Sequence, residues 1–162
     1  MSSAGDRLKA TWHQALTGRG AHVLTLDALD AMPWDRAGAR PGDTPHSVFE
    51  IVNHLVYWQD FSLAWIDGER QATPEHAAQS WPGEVGPQSE QEWVERVGEF
   101  QRGFTALEER IETLDPFEER GPKTVLEIIQ LIASHNSYHI GQISLIRRMV
   151  GAWPPPTGGA TW

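Results

Sequence analysis

The chain contains no cysteine, fewer basic than acidic residues, and no long apolar run in its 162 positions. Without cysteine there is no disulfide, no thiolate nucleophile and no zinc site of the cysteine-rich kind. Any metal must therefore be held by His, Asp, Glu, backbone or water. The 13 Lys and Arg residues face 22 Asp and Glu, a net charge of −9 that repels nucleic-acid phosphates and anionic headgroups alike. No segment approaches the roughly 18 apolar residues of a membrane span, and the opening MSSAGDRLKATWHQ lacks the apolar core of a signal peptide. The expectation is a soluble, cytoplasmic protein with a small-molecule substrate and neither nucleic acid nor membrane as partner. Walker loops, dinucleotide-binding glycine fingerprints, the G-x-S-x-G elbow and fixed-period repeats are also absent.

Helical signals fill most of what remains. Leu8, Trp12 and Leu16 recur at helical spacing over residues 6–17 and stop at Gly18-Arg19-Gly20. A short turn capped by Thr25 is expected next, then a Pro/Gly-rich loop over 33–45. Ser47 with Glu50, Ser89 with Glu92 and Thr124 with Glu127 each have the spacing of a reciprocal capping box. They predict three long helices, ending at Gly68, Asp115-Pro116 and Gly151. Arg147 and Arg148 lie in the final turn of the last one. Residues 69–88 read as a long surface crossover, of a length that is uncommon unless it has a task. Residues 151–162 read as a proline-rich turn followed by flexible glycines.

These elements predict an all-α four-helix bundle formed by one domain, residues 1–162, with the long crossover between the second and third long helices. The competing arrangement is an irregular α-domain with a short accessory hairpin within 69–88.

Histidine interrupts the apolar faces of two of these helices. On a helical wheel of the last one, Ile128, Ile132, His135, His139, Ile143 and Ile146 share one stripe. The i, i+4 spacing of His135 and His139 puts both imidazoles on one side, close enough to converge on one ion. His54 interrupts the seam between Ile51 and Trp58 on the other helix. Three neutral nitrogens would leave coordination positions open for water or substrate. The set His54, His135 and His139 is thus a candidate site for a divalent ion, zinc or nickel suiting imidazole. Neither helix carries the Glu-x-x-His of a carboxylate-bridged di-iron bundle. The plain alternative is that the three rings hydrogen-bond one another and the backbone as core residues.

Other positions carry less. Glu50 serves either as a helix cap or as acceptor or general base near His54, the cap being favoured. His22 and His46 read as solvated or locally hydrogen-bonded, and His13 and His76 as surface residues. Tyr57 and Tyr138 adjoin candidate ligands in sequence, but adjacent helical positions diverge by about 100°. No catalytic residue is assigned. Eight tryptophans, Trp58 and Trp65 among them on the His54 seam, favour a pocket lined with rings.

The stretches IVNHLVYWQ, around His54, and SHNSYHIGQISLIRRM, whose core H-x-x-x-H-x-G-Q-I runs from His135 to Ile143, resemble the DinB/YfiT-like superfamily of four-helix bundles. The resemblance covers almost the whole chain, and GRGAH and WPPPTGG are similar to segments of close relatives. It implies a divalent metal on His54, His135 and His139, frequent homodimers, and in some branches thiol S-transferases or an isomerase that use a low-molecular-weight thiol. The family's damage-inducible naming implies no DNA contact. From this follows the expectation of a metal-dependent transferase or hydrolase whose nucleophile is a metal-activated thiol or water. A non-catalytic, stress-related binding module with a structural or incidental metal is the alternative.

Overall fold

Side-chain oxygens start every long helix. In the computed structural model, which describes residues 3–69 and 72–160, Ser3 opens α1 (Ala4–Thr17), its hydroxyl accepting from the Asp6 amide while its own amide donates to the Asp6 carboxylate. The same reciprocal pattern opens α3 (Val48–Ile66) at Ser47 and Glu50, and α5 (Val125–Met149) at Thr124 and Glu127. Each box satisfies amides that have no partner within the helix. The third box is only half formed. Ser89 caps α4 (Glu90–Thr113), but the Glu92 carboxylate accepts from the Gln88 amide instead of the cap residue.

The long helices form a closed ring in which α1 packs on α5 and α4, and α3 packs on α4 and α5. Between them lie Trp12 and Leu16 of α1, Ile51 and Leu55 of α3, Phe100, Phe104 and Leu107 of α4, and Ile128, Ile132, Ile140 and Ile143 of α5, all buried. Such side chains each contribute roughly 1.5–3 kcal/mol on burial. The architecture is the expected four-helix bundle. At Gly103 of α4 an added Cβ would come within 3.1 Å of the Gln59 side chain, whose amide donates to the Phe100 carbonyl. A larger residue there would press on the Gln59 side chain that links α3 to α4. No helix among the described residues is long and apolar enough to cross a membrane.

Three connections differ from expectation. Thr25 does not cap the turn that follows it, a 3-10 helix at Asp27–Leu29, but donates its hydroxyl to the Leu16 carbonyl and so ties the chain to the end of α1. The Pro/Gly-rich loop contains a single helical turn, α2 (Trp34–Ala37). The accessory hairpin lies between α4 and α5, where β1 (Glu119–Arg120) pairs antiparallel with β2 (Lys123–Thr124), and not in the described part of 69–88. That crossover carries a 3-10 turn, Ala77–Ser80.

The crossover is fastened near its C-terminal end. The Ser47 hydroxyl donates to the Val85 carbonyl, and Gly38 meets Gly86 backbone to backbone, leaving no room for a Cβ on either. Toward the C-terminus of the chain, Arg147 is buried and donates to the carbonyls of Ala28, Asp30 and Ala152. In the tail, the Trp153 ring lies 4.2 Å from the Arg148 guanidinium, a cation-π contact. The tail's last two residues lie outside the described part.

Candidate metal centre

His54 comes from the middle of α3, and His135 and His139 come from successive turns of α5. Because those helices pack side by side, one ring nitrogen of each histidine lies within 4.8 Å of the others. Ring centroids are 5.0 Å apart for His54 and His135, 4.9 Å for His54 and His139, and 4.5 Å for His135 and His139. The structure brings together the three residues that the sequence nominated.

Their outer contacts decide which nitrogen is presented. His54 Nδ1 faces the Ser80 carbonyl at 3.1 Å. A carbonyl can only accept, so Nδ1 carries the proton and Nε2 keeps its lone pair. His139 Nδ1 lies 2.6 Å from Gln142 Oε1, which by the same reasoning frees its Nε2. His54 Nε2 and His135 Nε2 are 3.1 Å apart. Two lone pairs at that separation repel unless a proton or a cation lies between them. His135 Nδ1 is buried and has no hydrogen-bond partner among the described residues. Inward lone pairs on His54 and His139, whose outer nitrogens are held by oxygen acceptors, suit a divalent ion, and the His135 ring stands beside them.

The electrostatics agree. Burial pushes His54 down to about 4, partly opposed by the Ser80 carbonyl. Burial, then the His139 and His54 imidazoles, push His135 down to about 3. Burial also lowers His139, against the opposing contact with Gln142. All three rings are therefore neutral near pH 7, the protonation state in which imidazole binds metal.

Trp81 covers this cluster. Its indole lies against His54 at 3.8 Å between centroids with planes within 7°, and against His46 at 3.6 Å and 4°. Two imidazoles so close to one indole cannot share a face without overlapping, so Trp81 is sandwiched between them. His46 is thus half-buried and stacked, a correction to its reading as a solvated or locally hydrogen-bonded loop residue. Trp81 also meets His139 edge-on at 5.9 Å, and Trp58 stands edge-on to His54 and His135 at 6.3 and 6.2 Å.

Glu50 is a cap. One carboxylate oxygen accepts from the Ser47 amide at 2.8 Å, and both oxygens accept from Arg40. Burial alone would raise its pKa, but Arg40 and the Ser47 amide outweigh burial and hold it below the usual carboxylate range. Its imidazole neighbour is His46, at 3.7 Å, on the far side of Trp81 from His54. His22 bonds the adjacent Val23 carbonyl as expected, and His76 is exposed. His13 is half-buried and contacts Glu108 at 2.9 Å. Tyr57 and Tyr138 are both exposed, although Tyr138 meets His139 edge-on at 5.1 Å.

Sequence reasoning missed Ser80, Trp81 and the role of Gln142. A signal existed for each. Gln142 lies three residues beyond His139 on the same helical face, and the length of the crossover marked it as more than a tether.

The fold is a bundle of four long helices in which three clustered histidines, roofed by a loop tryptophan, could hold a metal ion. A family model described as the DinB superfamily matches residues 19–143. The chain belongs to that superfamily. No curated protein and no solved structure matches it.

Proposed function

We propose that the protein is a cytoplasmic, metal-dependent enzyme of transferase or hydrolase type, with His54, His135 and His139 holding one divalent ion, zinc or nickel. The observation that carries this reading is the paired set of contacts to Ser80 and Gln142, which turns imidazole lone pairs into one buried point. A divalent ion held there lowers the pKa of a bound water, or ionises the thiol of a small cosubstrate, and so supplies a nucleophile that a chain without cysteine lacks. The chain's own residues position and exclude. Ser80 and Gln142 orient the rings, Trp81 keeps water from one side, and Trp58 forms an apolar wall beside His135.

We also propose a homodimer through α5. The exposed side chains of Tyr138, Leu145 and Met149 form an apolar strip along that helix, and a second copy would cover it. Velocity sedimentation should show a dimer that Leu145→Glu dissociates.

The deciding experiment is elemental analysis of protein prepared without a histidine tag or chelating resin, alongside His54→Ala and His139→Ala. About one ion per chain in the parent and almost none in either variant supports the site. Parent protein that neither contains nor takes up zinc or nickel leaves the histidines as core structure. A bound ion whose removal collapses the fold favours the non-catalytic alternative.

A further inference from the structure

Beside His135 opens a cavity of about 380 Å³, walled by Trp58, Phe61 and Trp65 of α3 and by Ile128, Leu131 and Ile132 of α5. Its lining is almost wholly apolar, with two exceptions that matter electrically, His135 and Lys123. Lys123 lies on β2, just before α5 begins. The first residue of α5, Val125, precedes His135 by ten residues (135 − 125), or roughly 15 Å at the helical rise. The lysine's four-carbon stem spans part of that distance.

The Lys123 ammonium has no ion-pair partner within 4 Å among the described residues, whereas its neighbours are engaged. Glu127 accepts from the Thr124 amide and hydroxyl, and Arg120 pairs with Glu118 and donates to the Ile66 and Glu119 carbonyls. Glu119 lines the adjoining cavity of about 490 Å³, which shares Phe61, Trp65 and Thr73 with this one. The groove therefore offers a positive charge outside any close ion pair, though near enough to Glu127 to help lower its pKa, then an apolar trough and a histidine cluster, in that order.

We propose that this groove selects an amphipathic monoanion: a small molecule with an apolar chain or ring body lying against Trp58 and Ile132, and a single carboxylate held by Lys123. The end opposite the carboxylate is then presented at His135. In a chain of net charge −9, one local cation can hold one anionic end, while the apolar walls reject a second charge along the body. The presentation to a reactive site rests on the proposed metal centre. The selectivity of the groove does not.

Decanoate and decanol serve as probes, differing in charge and little in shape. Isothermal titration of chelator-treated protein should show decanoate binding about tenfold more tightly than decanol, the size of one charge-assisted hydrogen bond at a partly desolvated site. In Lys123→Ala that preference should disappear while decanol binding persists. In Leu131→Glu, with circular dichroism unchanged, both probes should weaken. Equal affinities in the parent, an undiminished preference in Lys123→Ala, unchanged binding in Leu131→Glu, or failure of both probes to bind would each overturn the proposal. Because the protein is stripped of metal, these outcomes are independent of whether an ion occupies the histidines.

Discussion

Trp81 lies flat on His54, centroids 3.8 Å apart, although it belongs to the crossover and His54 to the middle of α3. The neighbouring Ser80 carbonyl sets the proton position on that same imidazole. One short segment thus both roofs the cluster and determines which nitrogen His54 turns inward.

Replacing Trp81 should loosen the site without unfolding the bundle. Trp81→Ala is expected to speed the loss of bound zinc to a competing chelator by several-fold, because one wall and the seating of Ser80 go together. Trp81→Phe should stay near the parent, since a ring still stacks on His54. Stopped-flow transfer of zinc to a chromogenic chelator measures both.

Gln142 acts on metal affinity through His139. Gln142→Ala should weaken zinc binding about 10- to 100-fold, the usual cost of losing an outer partner of a ligand histidine. Unfolding of the metal-free protein in urea should change by less than about 1 kcal/mol. Competition titration against a calibrated chelator reads the first effect. A shift confined to the urea midpoint would assign Gln142 to stability instead.

The metal-free fold should weaken in mild acid. His54 and His135 sit at about 4 and about 3, below the ordinary value of 6.5, so between those limits the unfolded chain binds protons that the folded chain refuses. Their contribution is fully present above about 6.5 and is lost as pH falls toward about 4. Urea midpoints of chelated protein should therefore drop from pH 7.5 to pH 5, and His54→Leu should show a smaller drop.

Arg147 is a structural cation, not part of the site. Removing it leaves the Ala28, Asp30 and Ala152 carbonyls without their donor. Arg147→Ala should cost about 3 kcal/mol in urea unfolding. Its zinc stoichiometry should match the parent's.

Local rules carried the helices a long way. Capping boxes at Ser47 and Thr124 are read from residues three apart and recur in the structure, because a cap involves only its own first turn. The i, i+4 pair His135 and His139 was legible for the same reason, and His54 because it interrupts an apolar seam. Thr25 and Glu92 had suitable spacing but found other partners, the Leu16 carbonyl and the Gln88 amide. Both lie beside loops, where a competing acceptor or donor costs the chain little.

By itself, the sequence determined the helical segments, the absence of any thiol and the restriction of a metal site to His, Asp, Glu, backbone or water. All of these follow from residue type and from periodicities that repeat within a few positions. Only the tertiary structure decided that His54 meets the α5 pair, that Trp81 stacks between His46 and His54, and that Lys123 stands at the far end of an apolar trough. Those placements depend on how α3 packs on α5 and on how an aperiodic crossover is fastened at Ser47 and Gly38. Contacts between residues distant in the chain leave no mark on local spacing.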